Sequence, residues 1–202
     1  MGKQAILVAA ILTMWTGTVL AQSMSAPGGT TPVLASTLAP AEGGATLVVT
    51  SSAFKNGGVF PNVYTQNGQN ISPPLSWSRG PAGTKSYVVL TEDSGVSRPQ
   101  PIFHWVLYDV PAGTTHLPQA LPTEPKLAAP AGARNGLNIR KASGYMGPKP
   151  PAGQTHPYHF EVFALDKTLD LDPATADRNA VVAAMKGHVL AEGEIVGMYT
   201  GK

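Results

Sequence analysis

Two runs in this chain are apolar on both of their alternating faces: Lys85-Ser-Tyr-Val-Val-Leu-Thr91 and Ile102-Phe-His-Trp-Val-Leu-Tyr-Asp-Val110. A strand with one solvated face alternates apolar and polar residues; a strand apolar on both sides needs cover above and below. Both runs are therefore expected as central strands of a covered sheet. Tyr158-His-Phe-Glu-Val-Phe-Ala-Leu165 is a third strong strand, and Thr46-Leu-Val-Val-Thr50 a shorter one. Pro111-Ala-Gly113 ends the second run, and Asn56-Gly57-Gly58 and Asn67-Gly68 are turn signals.

The composition agrees. The 202 residues include 22 Gly and 19 Pro, which helix interiors tolerate poorly. At 43% hydrophobic residues the chain can bury one domain core. One segment changes period. Asp172 is a good N-cap and Pro173 suits a first helical position. Ala174 to Lys186 then carries Val181, Val182 and Met185 at helical spacing, with Gly187 as C-terminal cap. His188 to Tyr199 returns to strand character. The expectation is an all-β domain, antiparallel, with one short helix near the C-terminus. Thr114 to Pro157 is long and rich in Pro and Gly. A stretch of that kind inside a compact domain is functional or hides short strands.

The N-terminus reads as a leader. Lys3 supplies a positive n-region, Ala5 to Leu12 is apolar, and Val19-Leu20-Ala21 fits a small-x-small cleavage site. Residues 1–21 are thus expected to be a signal peptide cleaved after Ala21, giving a periplasmic or secreted protein with no transmembrane span in the mature chain. The apolar run is too short, and too broken by Thr13, Thr16, Gly17 and Thr18, for a comfortable membrane anchor. Residues 22–44 are rich in Pro, Gly, Ala, Thr and Ser and read as a flexible linker, leaving 45–202 as the folded domain.

Several functions are excluded. There is no cysteine, so disulfides, Cys-ligated zinc and thiol nucleophiles are absent. The net charge of +2, with no basic run, is too weak for a nucleic-acid footprint. No G-x-S-x-G elbow exists, and Ser143 is a loop serine. No cofactor is expected. A symmetric homodimer is compatible with the sequence.

The residues able to carry chemistry stand at strand ends. Asp93 closes the first central strand, His104 sits in the second, and His156 and Tyr158 flank the start of the third. Gly144-Tyr145-Met146-Gly147-Pro148-Lys149-Pro150-Pro151 forms a rigid loop between them. If these strands are neighbours, a carboxylate, two imidazoles and a phenol converge at one sheet end. Imidazole, phenol and amide hydrogens can hold phosphate or carboxylate oxygens. Asp93, His104 and His156 also make a two-His-one-carboxylate set, although local spacing gives a metal no support. Asn70 and Ser72 are expected to brace a turn, and His159 to point away from Tyr158.

Four segments stand in a telling order: Gly68-Gln-Asn70-Ile-Ser-Pro-Pro-Leu-Ser-Trp77; Phe103-His104-Trp105-Val106 with Asp109-Val110-Pro111; Gly144-Tyr145 through Phe160; and Met185-Lys-Gly187-His188-Val-Leu-Ala191. They resemble, in turn, the G-x-N-x-S-P-P-L-x-W segment, the H-W-V strand, the G-Y-x-G-P-x-P-P-x-G-x-x-H-x-Y-x-F segment and the closing run of the phosphatidylethanolamine-binding protein family, in its bacterial Raf-kinase-inhibitor-like branch. The resemblance implies an antiparallel β-sandwich with a Greek-key element and a surface pocket for phosphoryl headgroups or similar small anions. Carried over by position, the ligand-binding residues are Asp93, His104, Pro151, His156 and Tyr158. Where the family has D-P-D-x-P, this chain has Asp93-Ser94-Gly95-Val96-Ser97, which implies a looser loop and a less acidic wall. Pro157 stands where members commonly carry Arg.

The leading expectation is an exported binding protein for a small phosphorylated or carboxylated compound, without catalysis of its own. In it His104, His156 and Tyr158 donate to the anion, Asp93 fixes a histidine or pairs with an ammonium headgroup, and Pro151 shapes the wall. One rival is a small-ester or phosphoester hydrolase using the same acid and imidazoles. Another is a protein inhibitor of a kinase or protease that uses the loop from Thr114 to Ser143.

Overall fold

The computed structural model describes residues 30–202. The elements in chain order are α1 (Ala35–Leu38), β1 (Val49–Thr50), β2 (Gly58–Val59), β3 (Leu75–Trp77), β4 (Ser86–Asp93), β5 (Ile102–Pro111), β6 (His116–Leu117), β7 (Arg134–Asn135), β8 (Thr155–Leu165), α2 (Arg178–Met185) and β9 (Val189–Thr200). Six strands form one sheet in the order β2-β9-β8-β4-β5-β7, and three form a small sheet in the order β1-β3-β6. The expected signal peptide lies outside the described residues. Among the described residues no helix is long and apolar enough to cross a membrane.

The doubly apolar runs behave as their pattern requires. β4 lies between β5 and β8 and is buried along its whole length. One face of the large sheet, with Tyr87, Val89, Trp105 and Phe160, shares a core with Val49, Leu75, Trp77 and Leu117 of the small sheet. The other face, with Val88, Leu90, Val106 and Phe163, packs against Val181, Val182 and Met185 of α2. Each such fully buried side chain stabilises the fold by about 1.5–3 kcal/mol.

The fold departs from expectation in three places. The sheet is mixed rather than wholly antiparallel, because β2 pairs with β9 in parallel. The C-terminal helix starts at Arg178, and Asp177 caps it by accepting from Asn179 N and Ala180 N. Asp172 instead closes a separate turn, where its carbonyl accepts from Thr175 and Ala176. Both aspartates are competent caps; Asp177 is the one next to the apolar stripe that needs burial. A second helix, α1, also exists. It lies in the stretch expected as flexible linker. Residues 33–44 are docked, with Ala35 and Ala39 buried and Glu42 N donating to Val189 O. Local composition missed this because the partners are distant: Ala35 N donates to Glu92 and Ser36 N to Glu161.

The long loop-rich stretch holds β6 and β7, as well as bridges such as Leu137 with Ser143. Asn135 pins it. Its Oδ1 accepts from Trp105 Nε1, and its Nδ2 donates to the carbonyls of Pro122 and Glu124.

Candidate ligand site at the open end of the large sheet

Strand register assembles the site. Asp93, the last residue of β4, stands directly between Ile102 of β5 and Tyr158 of β8. His104 reaches the same end through an irregularity. Thr91 pairs with Trp105 and Glu92 with Phe103, so His104 is one extra residue on β5. A bulge of this kind re-aims side chains. It lets His104 face the cavity while its neighbour Trp105 stays in the core on that side, and Phe103 and Val106 both join the opposite core. Regular alternation in β8 puts His156 and Tyr158 on one face and His159 on the other, where His159 bonds Glu194 at 2.8 Å.

The cavity is about 230 Å³ and is lined by Asp93, His104, Tyr158, Ile102, Met146 and Gln66, with Arg98, Arg140, Lys149 and Ile139 around them. His156 stands behind Asp93. Its Nδ1 donates to both carboxylate oxygens, at 3.0 and 2.9 Å, and its Nε2 lies 3.3 Å from Gln154 Oε1. Asp93 is only 2% exposed and also accepts from Gly95 N at 2.8 Å. The altered loop is thus held down, not loose. Gly95 is needed there for close approach: a Cβ would sit 2.4 Å from the His156 ring.

Two buried polar atoms at the floor have no partner. His104 Nδ1 lies 2.7 Å from the Met146 carbonyl oxygen, and Met146 N donates back to His104 O. The Nδ1–H therefore belongs to Met146, and His104 Nε2 is left unpartnered. Burial first, opposed by the Met146 bond and then by the Asp93 charge, pulls the His104 pKa below its ordinary value. The Tyr158 hydroxyl likewise makes no hydrogen bond of normal geometry, although the Asp93 carboxylate lies near enough to act on it. Burial first, then the Asp93 charge, pushes that phenol well above its ordinary range, so it is neutral. The two rings meet edge to face, with centroids 5.3 Å apart.

Of the five residues expected from sequence, Asp93, His104 and Tyr158 line one cavity, and His156 supports it through Asp93. Pro151 is exposed and lies outside the lining. Its carbonyl is packed against Gly201, where a Cβ would sit 2.1 Å from it. Asn70 and Ser72 act as braces: Asn70 Oδ1 accepts from Gly147 N, and Ser72 Oγ from Leu121 N. Sequence reasoning missed Arg98, Arg140, Lys149 and Gln66. They come from separate loops, and no local spacing marks them. Among the described residues no three acidic or histidine side chains are grouped to hold a metal ion.

A mostly β domain of two sheets, with a polar cavity at the strand ends of the larger one, defines the class. The family model described as phosphatidylethanolamine-binding protein matches residues 50–200. The UPF0098 protein of Methanothermobacter thermautotrophicus is 40% identical over 148 residues, which is 73% of this chain and 94% of the relative. Escherichia coli YbhB is 35% identical over 161 residues, 74% of this chain and 98% of its own. Among solved structures, Escherichia coli YbcL, described as a member of the mammalian PEBP family, superposes with TM-score 0.72 at 30% identity, covering 78% of this chain and 100% of its own. A Chlamydia trachomatis homolog of phosphatidylethanolamine-binding protein gives 0.68 at 31%, covering 78% and 99%. This chain belongs to the phosphatidylethanolamine-binding protein family.

Proposed function

We propose that this is an exported binding protein whose cavity holds a small anion, phosphoryl or carboxylate, without transforming it. The carrying observation is the charge of the lining: Arg98, Arg140 and Lys149 stand against the single carboxylate of Asp93. That carboxylate is already engaged by His156 and Gly95. The excess positive charge attracts an anion, and charge-assisted hydrogen bonds from guanidinium groups are the strong kind. A cavity of about 230 Å³ suits a phosphoryl group and a few further atoms. The family match supports the same reading.

Titration with inorganic phosphate at physiological salt is expected to give saturable binding, weakened about tenfold or more in Arg140→Glu. Binding that never saturates, or that is indifferent to Arg140→Glu, sinks the reading. Export is tested separately, by N-terminal sequencing of the protein recovered outside the cytoplasm. The expected first residue is Gln22; an intact Met1 on that protein refutes cleavage after Ala21.

A further inference from the structure

Resting on that anion reading, we propose that the pocket selects oxyanions that still carry a hydrogen: inorganic phosphate or a singly protonated phosphomonoester, over sulfate and phosphodiesters. The basis is the orientation of one ring. His104 spends its Nδ1 hydrogen on the Met146 carbonyl at 2.7 Å. In the neutral imidazole the other nitrogen is then a lone pair, an acceptor. That Nε2 atom is fully buried, has no protein partner, and belongs to a residue lining the cavity floor. His104 was expected from sequence to donate to the ligand; the tautomer reverses that role.

The groups facing His104 leave the task to the ligand. Asp93, on β4, is itself an acceptor; it takes hydrogen bonds from His156 and Gly95 and its charge acts on the Tyr158 hydroxyl. Tyr158, on β8, has one hydrogen to give, and its ring meets His104 by an edge-to-face contact rather than by a hydrogen bond. Arg98, Arg140 and Lys149 line the cavity as donors for anionic oxygens. Arg140 also opposes a proton on His104, as burial does, while the Met146 bond, Asp93 and the Gly147 backbone favour one. An anion with only acceptor oxygens satisfies the cations and leaves His104 Nε2 buried and unpaired. A P–OH group satisfies both. A buried acceptor left without its partner weakens binding by about tenfold or more.

Phosphate and sulfate separate this proposal from the reading beneath it. Near pH 8 both are tetrahedral dianions; phosphate carries one hydrogen and sulfate none. Calorimetric titration of the whole protein is expected to show phosphate bound about tenfold or more tighter than sulfate. Dimethyl phosphate, which carries no P–OH hydrogen near neutral pH, is expected to bind poorly. A phosphomonoester such as methyl phosphate is expected to lose affinity as pH rises through its second ionisation, at roughly 6. His104→Leu is expected to bind sulfate and phosphate alike. If that variant does not fold, imidazole ¹⁵N shifts of the unaltered protein decide the tautomer: Nδ1–H supports the proposal, and Nε2–H at pH 8 overturns it. Equal affinity for phosphate and sulfate overturns the selection and leaves the anion pocket standing. Binding of neither overturns both.

Discussion

Glu92 and Asp93 are consecutive residues of β4, yet they end in two different kinds of site. Asp93 faces an open cavity where His104 Nε2 and the Tyr158 hydroxyl lack partners. Glu92 faces the opposite side, beneath α1 and α2, and is 0% exposed. There the Arg178 guanidinium donates to one of its oxygens and Ala35 N to the other, at 2.9 Å. Arg178 also donates to Val33 O at 2.7 Å. Glu161 beside them accepts from Ser36 N. Burial first, then the neighbouring Glu92 charge, lifts the Glu161 carboxyl well above its ordinary value. The contrast is between Glu92, whose two oxygens are both engaged, and the cavity groups that lack partners; Glu161 Oε2, beside Glu92, is also buried without one. The closed cluster ties the N-terminal segment to the sheet. The open one keeps buried hydrogen-bonding capacity unused, which costs stability and makes sense if a ligand completes it.

The largest effect is expected on the closed side. Arg178→Met leaves Glu92 as an uncompensated buried charge and should lose about 3–5 kcal/mol in chemical denaturation, with phosphate affinity unchanged. Adding Glu92→Leu should recover much of that loss; a double variant as unstable as the single one would show that packing, not charge, is at stake. A smaller loss, about 1–3 kcal/mol, is expected for Gly95→Ala, whose methyl group collides with the His156 ring. That variant should also bind phosphate more weakly, because His156 then no longer holds Asp93. An unchanged affinity would separate His156 from the pocket.

The third prediction concerns pH. Glu161 has a raised folded-state pKa, so its stabilising contribution is full below the ordinary carboxylate range and drains away as pH rises toward the raised value. Glu161→Gln has no proton to lose, so its stability should fall less between about pH 5 and 8. Parallel curves for the two proteins would refute the assignment. The smallest stability effect belongs to the open side. Tyr158→Phe removes an unpartnered hydroxyl and should leave stability level or raise it by up to ~1 kcal/mol, while phosphate affinity falls. A clear loss of stability would mean that the hydroxyl has a structural role.

The two central strands were legible in the sequence because burial on both faces leaves apolar residues on both alternating sides of β4 and β5. The site was half legible. Asp93, His156 and Tyr158 sit where strands end, and the alternation in β8 fixed which of its side chains share a face. His104 was named, but its direction was not readable. A bulge leaves no signature in an apolar run, and only the pairing with β4 exposes it.

What the sequence determined by itself were properties set by neighbours along the chain: the covered strands, the turns, the absence of thiol chemistry and the four motifs of the family. Tertiary structure alone decided the rest. Arg98, Arg140 and Lys149 meet at one cavity from separate loops, α1 is held by carboxylates more than fifty residues away, and the Met146 carbonyl fixes which nitrogen of His104 is bare. Each depends on groups that become adjacent only after the chain has closed on itself, and local propensity carries no information about them.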